Sequence, residues 1–183
     1  VVKEIRDYVG GGGFMFAMCS ATDSYDIALA AEGVDICAEV FDGDAQDPQA
    51  QSKLDFSKCF AFKDFKLVTN PMEYEFSTID HRERNVIPER DYFTLFNFSA
   101  KWDPIPTMLT QCHTTTVKGF MGQTTAFDKN YIKSDVLILG ENKPEHEVRY
   151  IHSTFGFGTW TFYGGHDPED YRHYVTDPDT DLN

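Results

Sequence analysis

Three side chains in this sequence could together carry out acyl transfer: Cys19, His166 and Glu169. A thiolate attacks a carbonyl, an imidazole carries the proton, and a carboxylate orients the imidazole. Cys19 closes the stretch "YVGGGGFMFAMC" and opens "SATDSYDIALAAEG". A nucleophile held at a strand-to-helix turn needs small neighbours two residues before and after it, because the backbone folds back on itself. Ala17 and Ala21 meet that need. Backbone N–H groups from Ser20 onward would lie at a helix N-terminus, where they favour a thiolate and an oxyanion. Ser20 and Gly13 are the expected oxyanion contributors. The plainer alternative is that Cys19 is a buried strand residue, as free cysteines often are.

Six histidines are available as the base. His166 stands out in "YGGHDPED", directly after the apolar run "TWTFY", since α/β sheets carry functional loops at strand carboxyl ends. Glu169 or Asp167 could orient it; alternatively, His166 and Asp167 cap a turn that Pro168 stiffens. His152 is the second candidate base, or a hydrogen-bonded core group. Asp23, Asp167 and Trp102 are candidate ligand contacts. Trp102 and Trp160 are read as packing residues first and as sugar-stacking rings second.

The elements that must position these residues follow from periodicity. "VVKEIRDYV" places Val2, Ile5 and Val9 on one helical stripe. The four glycines Gly10 to Gly13 make a turn. "FMFAM" reads as a strand buried on both faces, and Thr22, Asp23 or Ser24 could cap the helix that follows, with Gly33 at its end. "CFAFKDFKLV" and "EYEFSTI" suggest strands. "TVKGFMGQTTAF" suggests a hairpin and "DVLILGEN" a buried strand. "EVRYIHSTFGFGTWTFYGGH" reads as strand, turn, strand and loop. Helix, strand, helix is α/β organisation.

The chain has 183 residues, 41% of them hydrophobic, which suits one domain with a sizeable core. No apolar run approaches the roughly 20 residues of a membrane span. A net charge of −14 repels phosphate backbones and argues against nucleic-acid binding. Cys19, Cys37, Cys59 and Cys112 include no C-x-x-C spacing, so no structural metal site is expected; one or two disulfides stay open. The carboxylates of "DGDAQD" and "DPDTD" lack the spacing of an EF-hand and read as solvated loops. No cofactor is expected. The sequence begins inside a helix, as the C-terminal part of a longer chain would.

"YVGGGGFMFAMCSATD", "AEVFDGD", "DHRERNVIPERDYFTLF", "DVLILGE" and "YIHSTFGFGTWTFYGGHDPEDY" occur in the order of the corresponding segments of ThuA-like proteins, and the chain resembles that family of the class I glutamine amidotransferase-like superfamily. Within it, the chain is similar to longer, often exported bacterial proteins labelled asparagine synthetase B. It has neither the N-terminal catalytic cysteine nor the S-G-G-x-D-S loop of true synthetases of that type. The resemblance implies residues 1–183 as a single α/β domain: a flavodoxin-like three-layer sandwich with a mostly parallel sheet, incomplete at its N-terminus. It also implies a small-molecule ligand, an N-terminal remainder or partner subunit that completes the sheet, and an exported or periplasmic address, with the cytoplasm as alternative.

The sequence departs from the family where the chemistry lies. ThuA-like proteins generally carry histidine at the Cys19 position. Amidotransferases carry cysteine there within G-x-C-x-G and a later His-x-Glu, whereas here the spacing is His166-Asp167-Pro168-Glu169. The implied activity is a Cys-dependent hydrolase or transferase acting on a small amide, ester or carbohydrate derivative. The alternative is a non-catalytic ligand-binding or structural subunit of a larger assembly.

Overall fold

The structure, a computed structural model, describes residues 1–73, 76–80, 92–95, 116–118 and 126–165. Helix α1 (Val2–Gly10) leads through a glycine turn into strand β1 (Phe14–Met18), which passes through Cys19 into helix α2 (Ser20–Ala30). Two single-turn helices follow, α3 (Glu39–Asp42) and α4 (Ala50–Lys53). Strands β2 (Tyr92–Leu95), β3 (Thr116–Lys118), β4 (Phe127–Asp128), β5 (Leu137–Asn142), β6 (Glu147–Phe155) and β7 (Gly158–Tyr163) complete the described elements.

The strands form one mixed sheet in the order β1-β7-β6-β5-β2-β3, with β4 paired to β6. Among the described residues only β1 and β7 pair in parallel; β2–β3, β2–β5, β4–β6, β5–β6 and β6–β7 are antiparallel. The fold is therefore α/β, but its described sheet is mostly antiparallel, contrary to the expectation of a mostly parallel one. The connections explain the difference. Parallel neighbours need a crossover of a dozen or more residues. Between β5 and β6 the chain has only Lys143–His146, and between β6 and β7 only Gly156 and Phe157, so both pairs are hairpins.

The main core lies on one face of the sheet. Val9 of α1 and Tyr25, Ile27 and Leu29 of α2 pack with Ile151, Trp160 and Phe162. The expected apolar stripe of α1 holds, with Val9 fully buried and Val2 and Ile5 packed against the core. A smaller cluster of Phe93, Leu95 and Tyr163 includes no helical residue. No second helical layer is present among the described residues.

Two expectations fail for local reasons. β1 is not buried on both faces: Phe14, Phe16 and Met18 are 53%, 49% and 42% exposed, because they alternate onto the face opposite the main core, which no helix covers among the described residues. The run from Cys59 to Phe65 is not a strand, although Cys59, Phe60, Ala61, Phe62 and Phe65 are all buried. Apart from one isolated bridge, Phe62 to Ile132, its amides find a side chain in place of a neighbouring strand. The Asp26 carboxylate on α2 accepts from the Phe60, Ala61 and Phe62 N–H groups at 2.7, 2.7 and 2.9 Å.

Candidate functional site around Cys19

The site is built where β1 and β7 end side by side. They run parallel, with Met18 opposite Tyr163, so both carboxyl ends reach the same rim of the sheet. The Cys19 N–H donates to the carbonyls of Tyr163 and Gly165, each at 3.1 Å. The Gly164 N–H donates to the Arg149 carbonyl at 2.7 Å, tying the same exit to β6. Gly165 has φ 82°, a left-handed turn that glycine adopts without steric cost.

Cys19 itself has φ 57° and ψ −141°. For a residue with a Cβ, this region costs on the order of 1–3 kcal/mol and persists only where the surroundings enforce it. Here they do: the two bonds from its N–H hold one side, and its carbonyl accepts from the Thr22 N–H at 3.1 Å and the Thr22 hydroxyl at 2.7 Å. The result is a sharp strand-to-helix turn with a partly exposed thiol at the start of α2. None of the three expected caps, Thr22, Asp23 and Ser24, caps α2: the N-cap position is Cys19, no side chain caps the helix, and Thr22 lies within its first turn. The helix ends at Ala31, before Gly33.

The strain has a direct consequence. Cys19→Gly is expected to raise folding stability by about 1 kcal/mol, since glycine tolerates this backbone but loses more freedom on folding. Cys19→Ala keeps the strain and should show no gain. Urea unfolding of the two variants measures the contrast, and equal midpoints would remove the strain argument.

The other described thiols are differently placed. Cys59 is 3% exposed, its Sγ approaches the Asp26 carbonyl at 3.3 Å, and burial pushes its thiol up. A hydrogen bond to Asp42 likewise pushes the Cys37 thiol up. Cys37 and Cys59 are free thiols.

The expected site residues divide as follows. Ser20 is the first residue of α2, directly after Cys19. Gly13 is not brought to it. Gly13 lies at the other end of β1, roughly 20 Å away by strand rise, and its N–H donates to the Tyr8 carbonyl at 3.0 Å. Asp23 is buried in the first turn of α2. His166, Asp167, Glu169 and Trp102 lie outside the described residues; Gly165, whose carbonyl meets Cys19, immediately precedes His166 in sequence. His152 is a core group. It is buried in β6, its Nδ1 is 3.0 Å from the Thr161 hydroxyl, and burial lowers its pKa. Strand register sets its Cα roughly 14 Å from that of Cys19. Trp160 is 1% exposed and packs against Phe60 and Phe162, the packing role expected of it.

Two features escaped the sequence reading. Asp26 holds the buried 60–62 segment, and only a carboxylate on the inner face of a helix hinted at it. Arg149 is fully buried beside the site's rim and donates from Nη2 to Glu147 at 2.8 Å. Its signal was a charged residue inside the apolar strand "EVRYI".

The acidic loop after α2 gathers carboxylate oxygens of Asp35, Asp42 and Asp44 within 4.8 Å of one another, all on exposed residues. Asp47, from the same stretch, pairs with Lys53. No helix among the described residues is long and apolar enough to cross a membrane. No family model, curated protein or solved structure matches the chain.

Proposed function

We propose that this chain is a ThuA-like domain of the glutamine amidotransferase-like superfamily that acts as a Cys-dependent hydrolase or transferase on a small amide, ester or carbohydrate derivative. The observation that carries this reading is the backbone of Cys19, φ 57° and ψ −141°, at the turn from β1 into α2. A strained residue held by four hydrogen bonds is a reason to look for function, and a strand-to-helix turn of this kind presents a nucleophile. The chain also brings the residue before His166 to the Cys19 amide, which supports His166 as the base and Glu169 as its orienting group.

In the reaction, the Cys19 sulfur forms a bond to the carbonyl carbon while the bond to the leaving nitrogen or oxygen breaks. The thiol proton passes through His166 to the leaving group. Water, or an acceptor amine in a transferase, then cleaves the thioester and restores the thiol. The N–H groups at the start of α2, beginning with Ser20, face the oxyanion.

The flavodoxin-like part of the reading draws support from the β1–α2 unit and the parallel β1–β7 pair. Further parallel strands would be added at β1. The uncovered face of β1 favours the second reading, a subunit of a larger assembly, because Phe14, Phe16 and Met18 are open on it.

Alkylation tests the enzyme reading. At pH 7, Cys19 should react with iodoacetamide at least about tenfold faster than Cys37 or a free thiol, and His166→Ala should slow it. Peptide-resolved mass spectrometry over time follows each cysteine. A Cys19 rate no greater than that of Cys37 would leave only the fold.

A further inference from the structure

We propose that a groove along the outer side of α2 seats the apolar acyl chain of the substrate, so that the enzyme selects medium-length acyl esters or amides. The proposal rests on the Cys19 reading above. The cavity measures about 210 Å³. At about 30 Å³ per water-sized group, it accepts on the order of seven heavy atoms, the size of a short acyl chain.

Its lining is mostly apolar. Ile27 and Ala28 form the α2 side, and Ile36, Leu67 and Phe76 stand opposite. Small-molecule sites are concave and predominantly apolar, with a few polar groups that fix orientation. The groove's polar side chains are Ser24, on α2, and Thr69, whose hydroxyl accepts from Gln46 at 3.3 Å.

Position links the groove to Cys19. Ser24, Ile27 and Ala28 fall on one helical stripe, and Ser20 lies one turn before Ser24 on that stripe. The Ser24 hydroxyl donates to the Ser20 carbonyl. Ser20 begins α2 beside Cys19, so the groove starts about 6 Å along the helix from the N–H groups assigned to the oxyanion. A carbonyl held at the helix start leaves its alkyl chain free to run down this stripe.

Ester chain length tests the idea. Each seated methylene should speed hydrolysis about threefold to fourfold, so p-nitrophenyl hexanoate should exceed the acetate on the order of a hundredfold in kcat/KM. Ala28→Phe fills the groove, and Ser24→Leu narrows it from an exposed position that leaves the core intact. Both should collapse the hexanoate-to-acetate ratio at least about tenfold. Equal rates on the two esters in the native protein, or a ratio unchanged in both variants, would overturn the groove.

Binding of hexanamide, read as thermal stabilisation, separates the two proposals. It should raise Tm by about 2 °C or more in the native protein and in Cys19→Ser alike, and in neither groove variant. If hexanamide stabilises the protein but neither ester is hydrolysed, the Cys19 reading fails and the groove stands as an apolar ligand site. If hexanamide has no effect, or stabilises the groove variants equally, the groove proposal fails whatever Cys19 does.

Discussion

Asp26→Ala is expected to cost about 4 kcal/mol of folding stability, a large part of what a domain of this size possesses. The Asp26 carboxylate is fully buried and accepts three backbone N–H groups from Phe60, Ala61 and Phe62. Beyond these bonds the segment has a single antiparallel bridge, Phe62 to Ile132, flanked by the Lys63 N–H to Tyr131 and Lys133 N–H to Ala61 bonds. Removing the acceptor leaves three buried donors, each costing about 1–3 kcal/mol. The relief of no longer burying a carboxylate offsets part of that sum. Urea unfolding measures the loss, and a loss below about 1 kcal/mol would show that the 60–62 segment is held by its phenylalanines and its bridge to Ile132.

The same group makes stability depend on pH in an uncommon direction. Burial is the largest influence and pushes the Asp26 carboxyl up to about 6, against the opposing pull of the three N–H donors and of Lys133. An unfolded aspartate titrates near 3.9. Between about pH 4 and 6 the folded chain therefore holds a proton that the unfolded chain has released. Its contribution is complete below pH 4 and is lost as pH rises through 6, to a total of about 3 kcal/mol. Most carboxylates that form ion pairs act the opposite way. Asp26→Asn cannot titrate, so the difference between its pH profile and that of the native protein isolates the effect. A constant difference from pH 4 to 7 would show that the folded and unfolded values coincide.

Gly158→Ala is the second large expected effect. A Cβ at this position would stand 2.0 Å from the Val9 carbonyl oxygen and 2.2 Å from that of Gly13. Both are backbone atoms, so no rotamer change makes room. The clash falls where the chain is tied most tightly at that end of the sheet. The Phe157 N–H donates to the Gly10 carbonyl at 3.0 Å and the Thr159 N–H to the Gly13 carbonyl at 3.1 Å. Either α1 lifts away or the start of β7 shifts. Overpacking against backbone at this separation should cost about 3 kcal/mol, which corresponds to a fall in Tm of roughly 9 °C. Calorimetry reads it directly, and a fall within 2 °C would mean that α1 is readily displaced.

These two positions also mark what the sequence conceals. The turn at Cys19 was legible because each step is local: an apolar run, two small alanines and a helical pattern in succession. The β6–β7 hairpin was legible for the same reason, through alternating apolar residues around Gly156. The 59–65 segment was misread because its apolar pattern suits a strand, while its hydrogen-bond acceptor, Asp26, is more than thirty residues away in sequence. β1 was expected to be buried on both faces because "FMFAM" reports hydrophobicity and says nothing about which faces of the sheet are covered. Nor could the sequence disclose the backbone angles of Cys19, since Ala17 and Ala21 permit a sharp turn without requiring one.

The open side of β1 bears on how molecules of this protein meet one another. Among the described residues no strand lies beyond β1, and three large apolar side chains of β1 lie uncovered on one face of the sheet. Such an edge is a template for cohesion. A net charge of −14 works against it, because approaching copies repel. That protection depends on the solvent: the repulsion reaches about 30 Å in 0.01 M salt but only about 8 Å at physiological ionic strength. Self-association is therefore expected to rise with salt, which light scattering at about 0.01 M and about 0.15 M would read; equal particle size in both would rule it out.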